Sequence, residues 1–155
     1  MAKKFKEFKQ GIFKPINPDK CLNKGPITYR SHLEFRLMKM CDKNSVVVEW
    51  SSEQVIVPYA HPIKGRMARY YIDAYIQMET PNGPKKFLIE IKPDKQTRAP
   101  TPSKRKKKTT ILYENAMFAV NTKKWEAATQ FAKNKGMQFM IITEKDLDKM
   151  EGKRS

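Results

Sequence analysis

The run from Met67 to Lys92 constrains the fold more than any other part of the chain. Between Met67 and Glu79 the residues alternate. Tyr70, Ile72, Ala74, Ile76 and Met78 point one way and Arg69, Tyr71, Asp73, Tyr75 and Gln77 the other, the period of one long strand. Pro81-Asn82-Gly83-Pro84 reads as a hairpin turn, and Phe87–Lys92 as the returning strand. Pro93 stops it from continuing as an interior strand. Pairing about that turn sets Asp73 near Glu90. Glu90 and Lys92 are two apart and leave one face, while Phe87, Ile89 and Ile91 anchor the other in the core.

Around this hairpin the pattern is mixed. Ser31 opens a run in which Leu33, Leu37, Met40 and Cys41 share a helical face, and Asn44 ends it. Val46–Trp50 and Gln54–Tyr59 are short and β-branched, hence strands. Helical stretches are expected from about Thr110 to Val120 and, capped by Thr122, through Phe131 to Gly136. Met137–Ile142 reads as a buried strand, and Thr143 with Asp146 as the start of a last short helix. The order is α-β-β-β-α-β-α, an α/β fold with a mixed sheet and helices on its faces. Residues 1–27 read as a basic N-terminal arm, 28–150 as the domain with a basic loop at 94–109, and 151–155 as a tail.

A chain of 155 residues suits one compact domain. Its 32 Lys and Arg against 16 Asp and Glu give a net charge of +16. Folding does not require that excess; a polyanionic partner explains it, nucleic acid first, because phosphate neutralisation releases condensed counterions. No stretch approaches the roughly 18 apolar residues of a spanning helix, so no membrane is expected. The N-terminus lacks the apolar segment of a secretion signal. Cys21 and Cys41 form no CxxC pair and read as free thiols; His32 and His61 sit in no nucleophile or metal motif. No small-molecule cofactor is expected.

Asp73, Glu90 and Lys92 together suit phosphodiester hydrolysis. Two carboxylates hold a hard divalent cation with sites left for water and phosphate. The cation neutralises developing charge and acidifies the water. The lysine orients or deprotonates that water, or stabilises the phosphate.

These residues resemble a family. Asp73, a spacer and Glu90-x-Lys92 form the signature of the PD-(D/E)xK nucleases, with Ile72 in place of the motif's proline. The chain is more similar still to the head-completion nucleases of T-even-like tailed phages. The resemblance runs through Lys4–Gly11, Tyr29-Arg30-Ser31-x-x-Glu34, Trp50-x-Ser52-Glu53, Arg69-Tyr70-Tyr71-x-Asp73 and Ile89–Pro93. It also resembles the endonuclease subunit of heteromeric transposases. The resemblance implies a restriction-endonuclease-like α-β-β-β-α-β core and a Mg²⁺-dependent DNA endonuclease, with Mn²⁺ as a substitute. It implies Asp73, Glu90 and Glu34 as metal ligands, with Lys92 completing the catalytic set. It further implies action in the host cytoplasm during virion assembly, or on the virion, at or near the packaged DNA end before tail joining, with portal or neck proteins as partners.

Simpler readings stand beside these. Glu90-x-Lys92 alone is often only a solvated face. Ser31-x-x-Glu34 is also a capping box, and Glu53 is left outside the catalytic set. Arg30, Arg69 and Tyr71 are candidate phosphate contacts; cross-strand packing explains Arg69 and Tyr71 equally well. Lys95, Arg98 and the run Lys104, Arg105, Lys106, Lys107 and Lys108 read as a clamp on the DNA backbone, against a solvated loop or a localisation signal. Two other functions compete: a DNA-end-binding plug protein of the phage head that needs no catalysis, and an RNA-binding domain, disfavoured by the absence of an aromatic RNP segment or GxxG clamp.

Overall fold

The computed structural model describes residues 10–152. The lysines up to Lys9 and the end of the tail lie outside the described residues. The elements are β1 (Gly11–Phe13), β2 (Ile27–Tyr29), α1 (His32–Lys43), β3 (Val47–Ser52), β4 (Ile56–His61), β5 (Arg66–Tyr71), β6 (Ala74–Thr80), β7 (Gly83–Ile91), α2 (Lys108–Asn134), β8 (Gln138–Ile142) and α3 (Glu144–Met150). The main sheet has the order β3-β6-β7-β8. It is antiparallel except for the β7–β8 edge, where the parallel pairing needs α2 as its crossover. With the separate two-stranded β1–β2 and β4–β5 sheets set aside, the chain reads α-β-β-β-α-β-α, and the fold is a mixed sheet flanked by helices.

Helices cover both faces of that sheet. Leu37, Met38 and Cys41 of α1 and Leu147 of α3 pack against Trp50, Ile76, Ile89 and Ile142. Their neighbours Tyr75 and Leu88 face the other way, against Val120, Ala128 and Ala132 of α2 and the inner side of β4–β5 at Val57, Tyr59 and Tyr70. A strand buried on both faces carries no polar side, and this limits what alternation reveals.

The long strand expected from Met67 to Glu79 is accordingly two strands. The ladder breaks at Ile72-Asp73; β5 pairs with β4, whereas β6 pairs with β3 and β7. Tyr70 and Ile72 belong to the α2 side and Ala74 and Ile76 to the α1 side, so the phase inverts at Asp73. The hairpin register is the expected one, with Ala74 opposite Ile89 and Thr80 opposite Gly83, and the turn shortens to Pro81-Asn82.

The two helices expected between Thr110 and Gly136 are one. Thr122 does not cap; its hydroxyl donates to the carbonyl of Phe118, 2.8 Å away, which a helix interior tolerates. α2 ends where Gly136 adopts φ 72°, with Gly136 N–H donating to Lys133 O and Met137 N–H to Ala132 O. A Cβ at Gly136 would meet nothing within 4 Å, so Gly136→Ala should cost only the backbone strain, about 1 kcal/mol. For a domain of this size that lowers Tm by about 2–4 °C, measurable by calorimetry.

Residues 10–27 pack into the domain. β1 pairs with β2, and Phe13 and Ile27 are buried in the α1-side core. The Asp42 carboxylate, 1% exposed, accepts from the backbone N–H groups of Ile16 and Asn17, both at 2.8 Å. Asn23 exchanges two hydrogen bonds with the backbone of Ser52, at the end of β3. The domain's packing therefore begins well before residue 28.

Candidate active site

The site lies where β6 and β7 end beside the break in the chain at Asp73. Ile72 N–H donates to Val55 O at 2.9 Å and Glu53 N–H to Asp73 O at 3.2 Å, which fixes the backbone on both sides of the acid. Asp73 Oδ2 accepts from the backbone N–H of Ile91 at 2.8 Å, bringing the carboxyl to the end of β7. Glu90 is 5% exposed. Its Oε1 accepts from the Tyr70 hydroxyl at 2.5 Å, and Lys92 Nζ lies 3.6 Å from its Oε2.

A buried acid, Glu90, and a half-buried one, Asp73, are thus side by side with one loosely placed cation. Burial raises the Asp73 carboxyl well above the ordinary carboxylate range; the charge of Glu90, and more weakly that of Glu34, raises it further, against the hydrogen bond from Ile91. Burial, and then the Glu90 charge, raise the Tyr70 phenol likewise, so it keeps its proton and donates. The pair lacks positive charge, and that shortage suits a divalent cation.

Glu34 serves first as a cap. Ser31 Oγ accepts from Glu34 N–H at 3.1 Å, and Glu34 Oε1 accepts from the N–H of Arg30 at 2.8 Å, one residue earlier than a capping box requires. It also shares with Asp73, Trp50 and Ser52 a recess holding about 10 Å³ of free space, room for about one water-sized species. Among the described residues no three His, Cys, Asp or Glu side chains close into a ready-made metal cage. Asp73 and Glu90 lie side by side, and Glu34 lines the recess beside Asp73 from α1.

The candidate DNA contacts divide. Arg69 and Tyr71 are exposed on the outer face of β4–β5, opposite the face from which Tyr70 reaches Glu90. Arg30 pairs with Glu53 at the surface. Lys95 is exposed, and Arg98 is held by Asp94 at 2.8 Å. Lys104, Arg105 and Lys107 are exposed just ahead of α2, whose first residue is Lys108. Lys106 is tied to Glu114 at 2.8 Å. Tyr70 is the residue the sequence pattern missed. Its alternation assigned it to the face of Ala74, and only the phase inversion at Asp73 turns it toward Glu90.

Residues 44–144 match the model of the TnsA-like endonuclease N-terminal domain. Over 127 residues the chain is 37% identical to the head completion nuclease of Enterobacteria phage T4, an alignment covering 78% of this chain and 81% of that protein. The family match takes in Asp73, Tyr70, Glu90 and Lys92 and leaves Glu34 outside. With the family model spanning more than half of the chain and the T4 relative aligned over most of it, the chain belongs to the TnsA-like endonuclease family.

Proposed function

We infer that this protein is a Mg²⁺-dependent DNA endonuclease acting in phage head completion, at or near the packaged DNA end, with Mn²⁺ as a substitute metal. The observation that carries the chemistry is the Asp73–Glu90 pair, half-buried and buried, with Lys92 Nζ 3.6 Å from Glu90. The likeness to the T4 head completion nuclease supports the role in head completion; action before tail joining, alongside portal or neck proteins, in the host cytoplasm or on the virion, is part of the same proposal.

Asp73 and Glu90 would hold the cation, with Glu34 on the outer side. Mg²⁺ in such a site supplies charge neutralisation and a more acidic water. The protein's own groups do the rest. Tyr70 fixes Glu90 through Oε1 and leaves Oε2 turned toward Lys92. Lys92 meets a non-bridging phosphate oxygen or orients the attacking water as the P–O bond breaks. The cations at the start of α2 support a DNA partner. Lys107 and Lys108 stand at the positive end of the helix dipole with no acidic residue in the first turn, an arrangement that an anion relieves.

Plasmid DNA incubated with Mg²⁺ or EDTA tests the reading. Cutting is expected only with the metal, with a loss on the order of 10²–10³-fold in Lys92→Ala while DNA binding persists. If the folded wild type binds DNA but cuts under neither Mg²⁺ nor Mn²⁺, a DNA-end-binding assembly role replaces it.

A further inference from the structure

A second feature adjoins this site. Loop 94–106 and the first half of α2 enclose a groove of about 660 Å³ that reaches Lys92. That volume lies within the roughly 300–1,000 Å³ of small-ligand pockets, with room for about one or two nucleotides and none for a duplex. Its loop wall is cationic. Lys92, Lys95, Arg98 and Lys106 line it, Arg98 paired with Asp94 and Lys106 with Glu114, each at 2.8 Å, and Lys92 3.6 Å from Glu90.

The helix wall is of another kind. Tyr113, Met117 and Asn121 follow one another at four-residue spacing on one face of α2, with Phe118 beside them. Tyr113 is 66% exposed and Met117 38%, so neither is a core residue. Asn121 is the reverse. It is only 9% exposed, and it lines the groove.

A cationic track beside an exposed aromatic platform is how proteins hold unpaired nucleic acid: phosphates along the cations, bases on the rings. An asparagine amide adds a donor and an acceptor for a base edge. We propose that this groove holds unpaired nucleotides of the strand whose scissile phosphate lies at Glu90 and Lys92. The substrate is then a partly single-stranded DNA end or junction rather than continuous duplex. The position of the scissile phosphate rests on the nuclease reading; the binding of unpaired nucleotides does not.

The test measures binding in EDTA, where cleavage plays no part. Fluorescent duplexes of one sequence, one blunt-ended and one with a short single-stranded overhang, are titrated with wild type, Tyr113→Ala, Tyr113→Phe and Asn121→Ala. Wild type should favour the overhang by about tenfold. Tyr113→Ala, at an exposed position the fold does not need, should erase that preference while blunt-end affinity holds; Tyr113→Phe should retain it. A fluorescent purine analogue in the overhang should be quenched on binding, except with Tyr113→Ala. Equal affinity for both ends, or a preference that survives Tyr113→Ala, overturns the proposal. Overhang selectivity in a protein that cleaves neither substrate with Mg²⁺ upholds the groove and counts against the nuclease reading alone.

Discussion

Asp73→Asn is expected to remove metal-dependent cleavage, by about a thousandfold or more, and at the same time to make the metal-free protein more stable. The opposed signs have one cause. Without a cation, Asp73 is a half-buried acid next to Glu90, raised in pKa by desolvation and by that charge. A carboxyl raised in the folded state is ionised at a free-energy cost that the unfolded chain escapes. Below the ordinary carboxylate pKa both states are protonated and the cost is absent; as pH rises through the raised folded value it is felt in full. Asparagine keeps an acceptor for the Ile91 N–H and brings no charge. The gain should be about 1–3 kcal/mol, or about 2–4 °C of Tm per kcal/mol. Melting in EDTA across a pH series reads it. The gap between variant and wild type should open with rising pH, and a gap that is flat or reversed would show that the pair is already compensated.

Asp42→Ala has the largest expected effect on folding. Its carboxylate accepts two backbone N–H groups at 2.8 Å in a site 1% exposed, and its own carbonyl takes Asn17 Nδ2 at 2.9 Å and Lys20 Nζ at 3.0 Å. Hydrogen bonds to charged groups contribute about 1.5–3 kcal/mol each, so losing both carboxylate bonds should cost about 3–5 kcal/mol, much of a typical domain's stability. Urea melts should show a lower midpoint at unchanged slope. Hydrogen exchange should localise the first opening to residues 16–20. Asp42→Asn, which keeps one acceptor, should lose about half as much. If Asp42→Ala melts like wild type, the segment is held by Phe13 and Asn23 instead.

What the sequence made legible is what local chemistry decides. Ser31 and Asn44 bound α1, Gly136 ends α2, and Thr143 with Asp146 caps α3, because each acts on amides a few residues away. The hairpin register that brings Asp73 to Glu90 followed from the turn alone. The site's other parts depend on tertiary facts. Tyr70 was hidden because alternation continues unbroken in composition across Ile72-Asp73, while the two runs bury opposite sides of a sheet covered on both. Thr122 carries the chemistry of a cap, and only the continuous packing of Val120, Ala128 and Ala132 shows that the helix runs through it. The arm's lysines and prolines obscured Phe13 and Ile27, which belong to the core.

The order of strands has a consequence for the timing of activity. Asp73 and Glu90 lie close in sequence, but Glu90 pairs with Ile141 of β8, and that pairing waits for the whole of α2 to cross over. Non-local contacts of this kind form late in folding. On the proposed reading, a nascent chain carries both acids long before it carries a complete site, and hydrolytic capacity belongs only to finished molecules.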